Sequence, residues 1–412
     1  MKIIGLETIQ IAEFSNLVWV RLHTDEGLIG LGETFRNPQA IVAYVHETCA
    51  PYLLGKDPRQ RTALTEGLRR DVGNAFKGFP TRSVEVRGNA AVDIALWDLW
   101  GQAAGLPIHA LLGGKMRDGI RMYNTCANSA YNNVARPGGN QQVFGRDTPA
   151  PDVIGPEEDL LLQVYEPRRL ARELLEAGIT AMKIWPFDVA AIRNKGASIG
   201  AAELKDALWP IEEIRDEVGN AMDILIELHG LWKLPPALKI AKALADYDVF
   251  WLEDPLALDN FADLEAYQRE APAMVAASEN LGTVPWFREA FTRGAIDVAI
   301  FDMAWVGGIT EGQRVTHLAD AFDRTIAPHD CTGPVTLIAN THLLAHAPNA
   351  LLAETVRSHL TGFYKQVMTE LPRVQNGMIY PLECPGLGAG LNADVLARGD
   401  LTRQVSGTLV SD

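Results

Sequence analysis

Three glutamates define the chemistry open to this chain. Glu227 in DILIELHG, Glu253 in VFWLEDP and Glu279 in MVAASENLG each close a short apolar run bounded by Gly, Pro or Asn. Such runs have the pattern of buried strands. Glu253 follows Glu227 by 26 residues, and Glu279 follows Glu253 by the same 26. The amphipathic stretches PPALKIAKALADY and NFADLEAYQREA lie between them, so each repeat holds one strand and one helix. That is the arithmetic of βαβ units, and it makes the sheet parallel. In a closed parallel barrel consecutive strand ends surround one mouth, so the three carboxylates converge. Converging anions need a cation. All-oxygen ligands select a hard one, and Mg²⁺ accepts a few carboxylates while keeping positions for water or substrate. Any one of these glutamates alone reads as a surface ion pair or a helix-cap partner; three in one strand-end context point to a shared site.

Other strand ends present Lys183 in MKIWPFD, Asp302 in IFDMAW, His329 in APHD and Glu354 in LAETV. His229 stands two residues past Glu227, so strand alternation sends both to the mouth, and Lys183 and Trp185 share a face by the same rule. With Asp302 and His329 on adjacent strands, the carboxylate accepts from one imidazole nitrogen and leaves the other free for proton transfer. Trp185, Trp232 and Trp305 read either as apolar area at the mouth or as rim core. Cys331, two residues after His329, reads as a pocket-lining thiol or a small buried hydrophobe.

The elements that must hold these residues follow from the order of the chain. Residues 1–120 form an α+β unit, 121–363 an alternating barrel, and 364–412 an irregular tail packing back on the first unit. The first unit opens with the strands IIGLETIQIAEF and LVWVRLHTDEGLIGLGE, hinged at TDEG. Helical patterns follow, the last being SVEVRGNAAVDIALWDLWGQAAG, in which Ala91, Ile94, Ala95 and Asp98 recur at helical spacing. From IRMYNTC onward eight strands alternate with helices, and AIDVAIFDMAWVGG reads as the sixth. A polar stretch rich in Gly and Pro, about residues 127–156, interrupts them. A chain of 412 residues exceeds what one core supports, which agrees with two domains.

Net charge of −15 argues against nucleic acid and an anionic membrane surface as partners. No apolar run reaches the ~18 residues that span a membrane. The N-terminus MKIIGLETIQIAEF meets Glu7 too early for a secretory h-region. Four cysteines without CxxC spacing suggest buried thiols in a reducing compartment, so the expected location is cytoplasmic.

The segment AAVDIALWDLWGQAAGLPIHALLGG, the WLEDP strand, the three carboxylates and the late DxxxxGG and PHD strands together resemble the enolase superfamily. Asp302 on strand six and His329 on strand seven make the chain similar to the mandelate racemase subgroup in particular. The resemblance implies a (β/α)7β modified barrel under an N-terminal α+β capping domain. It implies Mg²⁺ on Glu227, Glu253 and Glu279, an Asp302–His329 dyad as base, and Glu354 as an acid that hydrogen-bonds a substrate oxygen. It also implies α-proton abstraction from a carboxylate substrate through an enediolate, homo-oligomers, and substrate choice by cap loops near Phe14–Asn16 and Gly73–Thr81.

There are departures from the family pattern. Where its second strand usually reads Lys-x-Lys, with the second lysine as base, this chain has Lys183, Ile184 and Trp185. An indole accepts no proton. Lys183 matches the first lysine, whose usual part is electrostatic, and a neighbouring indole could desolvate it into a base. Glu227 stands where Asp is more common, and His229 resembles the Asp-x-His of some acid-sugar dehydratases. Racemisation or epimerisation needs a base on each face of the α-carbon, whereas elimination needs one base and one acid, which His329 with His229 or Lys183 supplies. The expected reaction is therefore dehydration of a sugar acid to a 2-keto-3-deoxy acid, with cycloisomerisation of an anhydro or lactone sugar acid as the alternative. A non-catalytic structural role conflicts with burying carboxylates together, which costs several kcal/mol without an ion.

Overall fold

The structure is a computed structural model and describes residues 1–72, 84–132 and 145–410. The substrate-choosing loop expected near Gly73–Thr81, and Arg136 of the long polar stretch, lie outside the described residues.

The first unit is an antiparallel meander of β1 (Ile3–Ile11), β2 (Leu17–Thr24) and β3 (Ile29–Phe35), backed by the helix Val84–Ala104. All eight residues of β2 are buried. Alternation explains this, because successive side chains enter different cores. Val20 and Leu22 pack with Ile41, Leu53, Val92 and Leu96 in a cap core. Leu17 and Trp19 join a second core that runs on into the barrel. The Val84–Ala104 helix lies flat on β3 because that strand has Gly30 and Gly32 where they touch, and a Cβ at Gly32 would run into the Ala91 carbonyl. Asp98 of the same helix accepts from Leu31 N at 2.9 Å and Leu387 N at 2.8 Å. One side chain thereby ties cap strand, cap helix and tail. Buried there, its carboxyl is pushed up to about 6.

The second unit is an eight-stranded parallel barrel: β4 (Ile120–Thr125), β5 (Ala181–Ile184), β6 (Asp223–Glu227), β7 (Trp251–Glu253), β8 (Met274–Ala277), β9 (Val298–Ala299), β10 (Thr325–Ile326) and β11 (Ala353–Thr355). Each strand from β4 to β10 pairs in parallel with the next, and β11 returns to pair with β4. The bridge Ile326↔Ala350 joins β10 to the approach of β11, closing the ring.

Tyr123, Ala181, Leu225, Trp251, Ala276, Val298, Ile300, Ala327 and Leu352 fill the barrel. Large Trp251 fits because small Ala181, Ala276 and Ala327 face it. Two residues after an inward position the chain points inward again. The ring above this plug is therefore Thr125, Lys183, Glu227, Glu253, Ser278, Asp302, His329 and Glu354.

Several elements depart from the sequence expectation. The run AIDVAIFDMAWVGG is a strand only at β9; Asp302 then caps a helical turn, Met303–Val306, by accepting from Ala304 N at 2.7 Å. The tail is not irregular: β12 (Arg373–Gln375) and β13 (Met378–Tyr380) form a hairpin against β4, and β14 (Leu401–Gly407) adds to β1. Most of its prolines and glycines fall between these strands and so mask them in the sequence. Cys49, Cys126 and Cys331 are buried, but Cys384 is exposed on a tail loop. Among the described residues no helix is long and apolar enough to cross a membrane.

Candidate active site

At the barrel mouth Lys183 is a hub. Its Nζ lies 2.6 Å from Glu253 Oε1, 3.0 Å from Glu354 Oε1 and 3.5 Å from Glu227 Oε2. Burial opposes its charge, yet Glu253 and Glu354 hold the ammonium well above its ordinary range. Three carboxylates thus surround the one buried ammonium. Glu354 also accepts from Asp330 N at 2.9 Å and from the Thr125 hydroxyl. Burial would raise its carboxyl, but Lys183 and His329 hold it down at about 2.

Glu227 and Glu253 end adjacent strands side by side. Glu253 also accepts from Trp251 Nε1 at 3.0 Å. Burial and the neighbouring Glu227 push its carboxyl well up. Glu279 is placed differently. It lies two residues past the last residue of β8, and the inward position is Ser278, which donates to Asp254 at 2.5 Å. Equal spacing along the chain thus does not give equal height in the barrel, because Glu227 pairs with Glu253 whereas Glu253 pairs with Ala276, which leaves Glu279 three residues further on, past the end of β8. Glu279 still joins the cluster: burial first and Glu279 second push Asp254 well up. Glu279 Oε2 and Asp254 Oδ1 are buried without a hydrogen-bond partner among the described residues.

These observations test the implied Mg²⁺. The donor set is all oxygen, Glu279 carries an orphaned oxygen as does neighbouring Asp254, and mutual crowding of anions is what a hard divalent ion relieves. In donor chemistry the residues fit. No ready-made ligand cage stands among the described residues, with Glu253 turned to Lys183 and Trp251.

Across the mouth, His329 Nδ1 is 2.7 Å from Asp302 Oδ2, which also accepts from Thr332 Oγ1 at 2.9 Å. Strands β9 and β10 are neighbours, as the pairing requires. Asn340 donates to the His329 carbonyl at 2.9 Å and so fixes the backbone there. On its other side, His329 Nε2 has Cys331 Sγ 3.2 Å away. Burial disfavours the imidazolium, but Cys331, Glu354 and the Asp302 bond hold it well above its usual range. Cys331 is buried, as one of its sequence readings had it, and lies against His329.

His229 reaches the site by a route other than the one its spacing suggested. β6 stops at Glu227, and His229 has a left-handed backbone with φ 50°. Its N–H donates to Glu227 Oε1 at 2.6 Å, and its Nδ1 lies 2.7 Å from Asp188 Oδ2. Burial opposes the charge, while Asp188 and Glu227 hold the imidazolium up at about 10. Trp185 stands edge-on to this ring, centroids 5.8 Å apart, and packs with Cys331 and Tyr131. Trp232 and Trp305 both belong to the core, and Trp305 also lies against His329 at 5.5 Å.

Several participants carried no sequence signal. Asp188 sits at the start of a helix and becomes visible only through His229. Arg36 and Arg87, from the cap, stand over Trp305 with guanidinium carbons 5.8 and 4.3 Å from its ring. Neither lies near any site residue in sequence. Phe14 of the expected cap loop packs on Phe363 at 4.5 Å. Of the long polar stretch, Tyr131 accepts from Arg36 at 3.3 Å, while Arg146 pairs with Asp206 on the barrel exterior.

Residues 4–113 match the mandelate racemase / muconate lactonizing enzyme N-terminal domain, and residues 166–395 match the enolase C-terminal domain-like family. The chain belongs to the mandelate racemase / muconate lactonizing enzyme family. Within that family it is similar to an enolase of the mandelate racemase subgroup from Agrobacterium tumefaciens, with 42% identity, a TM-score of 0.86 and 99% of each chain covered. It is 28% identical to a D-gluconate dehydratase of Thermoproteus tenax, over 92% of this chain and 69% of that one. It is also 28% identical to a D-galactonate dehydratase of Ralstonia nicotianae, over 95% and 92% of the two chains.

Proposed function

We propose that this protein is a Mg²⁺-dependent sugar-acid dehydratase that removes the α-proton of its substrate and expels water from the adjacent carbon, giving a 2-keto-3-deoxy acid. The observation that carries this reading is the asymmetry of the mouth. His329, backed by Asp302, ends the seventh barrel strand at the mouth, Lys183 ends the second, and Trp185 occupies the strand-two position where a second base would stand. The family relatives that dehydrate gluconate and galactonate support the same reaction class.

In its neutral form His329 takes the α-proton at Nε2, and Asp302 accepts from Nδ1, fixing the ring and stabilising the imidazolium that forms, the form its surroundings favour. An α-proton beside a carboxylate is very weakly acidic, so charge stabilisation of the enediolate decides the rate. Glu227, Glu253 and Glu279 would hold Mg²⁺, which supplies Lewis-acid polarisation of the substrate carboxylate. Lys183 adds a fixed positive charge from the strand-two side. His229, paired with Asp188, comes from the third barrel strand, four strands from His329 and hence across the mouth. It is placed to return a proton to the departing hydroxyl on the opposite face.

The test is a screen of sugar acids with and without Mg²⁺, scored by semicarbazide for keto acid and by mass for loss of water, beside His329→Asn. A metal-dependent keto acid formed with water loss and abolished in H329N is the expected result. A keto acid of unchanged mass from an anhydro or lactone sugar would make the protein a cycloisomerase. Exchange of the α-proton with no product would reveal a second base and a racemase or epimerase.

A further inference from the structure

The cap places two cations where the mouth so far described gives them nothing to do. Arg36 and Arg87 converge on the indole of Trp305, and Arg36 also lies over Phe35 at 5.6 Å. Each guanidinium is half-buried and carries five N–H donors. Among the described residues Arg36 gives one of them, to the Tyr131 hydroxyl at 3.3 Å, and its Nε is buried with no partner. Arg87 likewise gives one, to the Phe35 carbonyl at 2.7 Å. Among the described residues no carboxylate lies within ion-pair distance of either, although Glu279 acts on both through space. Burial most of all, with Arg36 adding, pulls the Arg87 guanidinium down to about 10 against Asp302. Contact with an aromatic face accounts for the stacking but satisfies none of the free N–H groups.

Two adjacent guanidiniums that are desolvated and short of acceptors form an anion site, because a carboxylate or phosphate takes paired N–H bonds from each. The substrate's own α-carboxylate is an unsuitable occupant. Proton abstraction holds the α-carbon at His329 and turns that carboxylate toward Lys183 and the strand-end glutamates. What remains is the far end of the carbon chain. From the His329 ring to Trp305 is 5.5 Å, and from Trp305 to Arg87 is a further 4.3 Å. Together these set an upper bound on the separation of His329 and Arg87, and a six-carbon acid with a hydrogen bond at each end, which spans on the order of 10 Å, is long enough to reach from one to the other.

Building on the dehydratase reading, we infer that the substrate is a dianion, a sugar acid whose terminal carbon carries a second carboxylate or a phosphate, and that Arg36 and Arg87 bind this distal group. The test compares gluconate with glucarate and with the terminal phosphate ester of gluconate, together with the galacto counterparts, on wild type, Arg36→Gln and Arg87→Gln. The expected result is a kcat/KM higher for one dianion class than for the aldonate, with that ratio falling about a hundredfold in either variant through KM. Whichever dianion is preferred identifies the distal group. Because the ratio is taken on a single preparation, loss of folded enzyme cancels. A wild type that turns over aldonates as well as dianions, or a ratio unmoved by both substitutions, overturns the inference and leaves the dehydratase reading standing. If no acid is turned over, titration calorimetry of the same acids separates the two claims. Tighter dianion binding that is lost in the variants keeps the anion site without dehydration, and equal binding of all acids removes both.

Discussion

Residue by residue, the site depends most on Lys183, a single buried ammonium shared by Glu227, Glu253 and Glu354. Removing one member of such a network leaves charges buried without compensation, a loss of about 3–5 kcal/mol. Lys183→Met should therefore destabilise the metal-free protein by about that amount in urea denaturation. Added Mg²⁺ should recover much of the loss, since an ion bound by the same glutamates neutralises them. Equal stability of variant and wild type in chelator would show that the cluster is not held by this charge. Most of these side chains are legible in the amino-acid sequence, because a titratable residue at the end of an apolar run is conspicuous. Glu279 and His229 are legible for an incomplete reason: both leave strand alternation, Glu279 on the turn after β8 and His229 on a left-handed residue. Which imidazole nitrogen is free, and what touches it, depends on Asp302, Cys331 and Trp305 arriving from elsewhere.

Among the elements, the decisive meeting is that of β3 with the barrel helix Pro334–His346. Glu33, buried on β3, accepts from Trp19 Nε1 at 2.8 Å and from Thr336 N and Oγ1, both at 3.1 Å, at the start of that helix. Burial pushes its carboxyl up to about 7 even though these donors pull it down. The sign follows from linkage. A carboxyl that binds its proton more tightly folded than unfolded contributes stability below its unfolded value near 4.5, and that contribution is lost as pH rises through about 7. Wild type should thus lose up to about 3 kcal/mol relative to Glu33→Gln between those limits. Denaturation of both proteins across that range checks it; parallel curves would mean that Glu33 titrates as an ordinary carboxyl. The junction is illegible in the sequence, because Glu33 and Thr336 are 303 residues apart and their pairing follows from the docking of one unit on the other.

For the whole molecule, the tail is the link between units. β14 pairs with β1 from Ile11↔Leu401 to Gly5↔Gly407, and Arg403 reaches buried Glu7 at 3.1 Å. Ending the chain after Gly399 should bare the β1 edge, lower the melting temperature by at least about 5 °C and promote self-association through the open strand. Calorimetry with light scattering checks both; an unchanged transition would make β14 a passive addition. The truncation should also cost activity, because the cap sheet carries Arg36 and positions Arg87.

Local periodicity and spacing are enough to specify the alternating barrel, the cap, the order of the strands and the carboxylates and histidines at their ends. They suffice because a two-residue step along a strand always returns to the same face, wherever that strand is later packed. Other features come into being only with the packed molecule: Lys183 clamped by three glutamates, Asp188 behind His229, a tail split between barrel and cap, and Arg36 and Arg87 meeting over Trp305. Each of these is a contact between segments far apart in the chain. No local pattern encodes such a contact, because it exists only once the two cores have packed and brought the cap down on the barrel mouth.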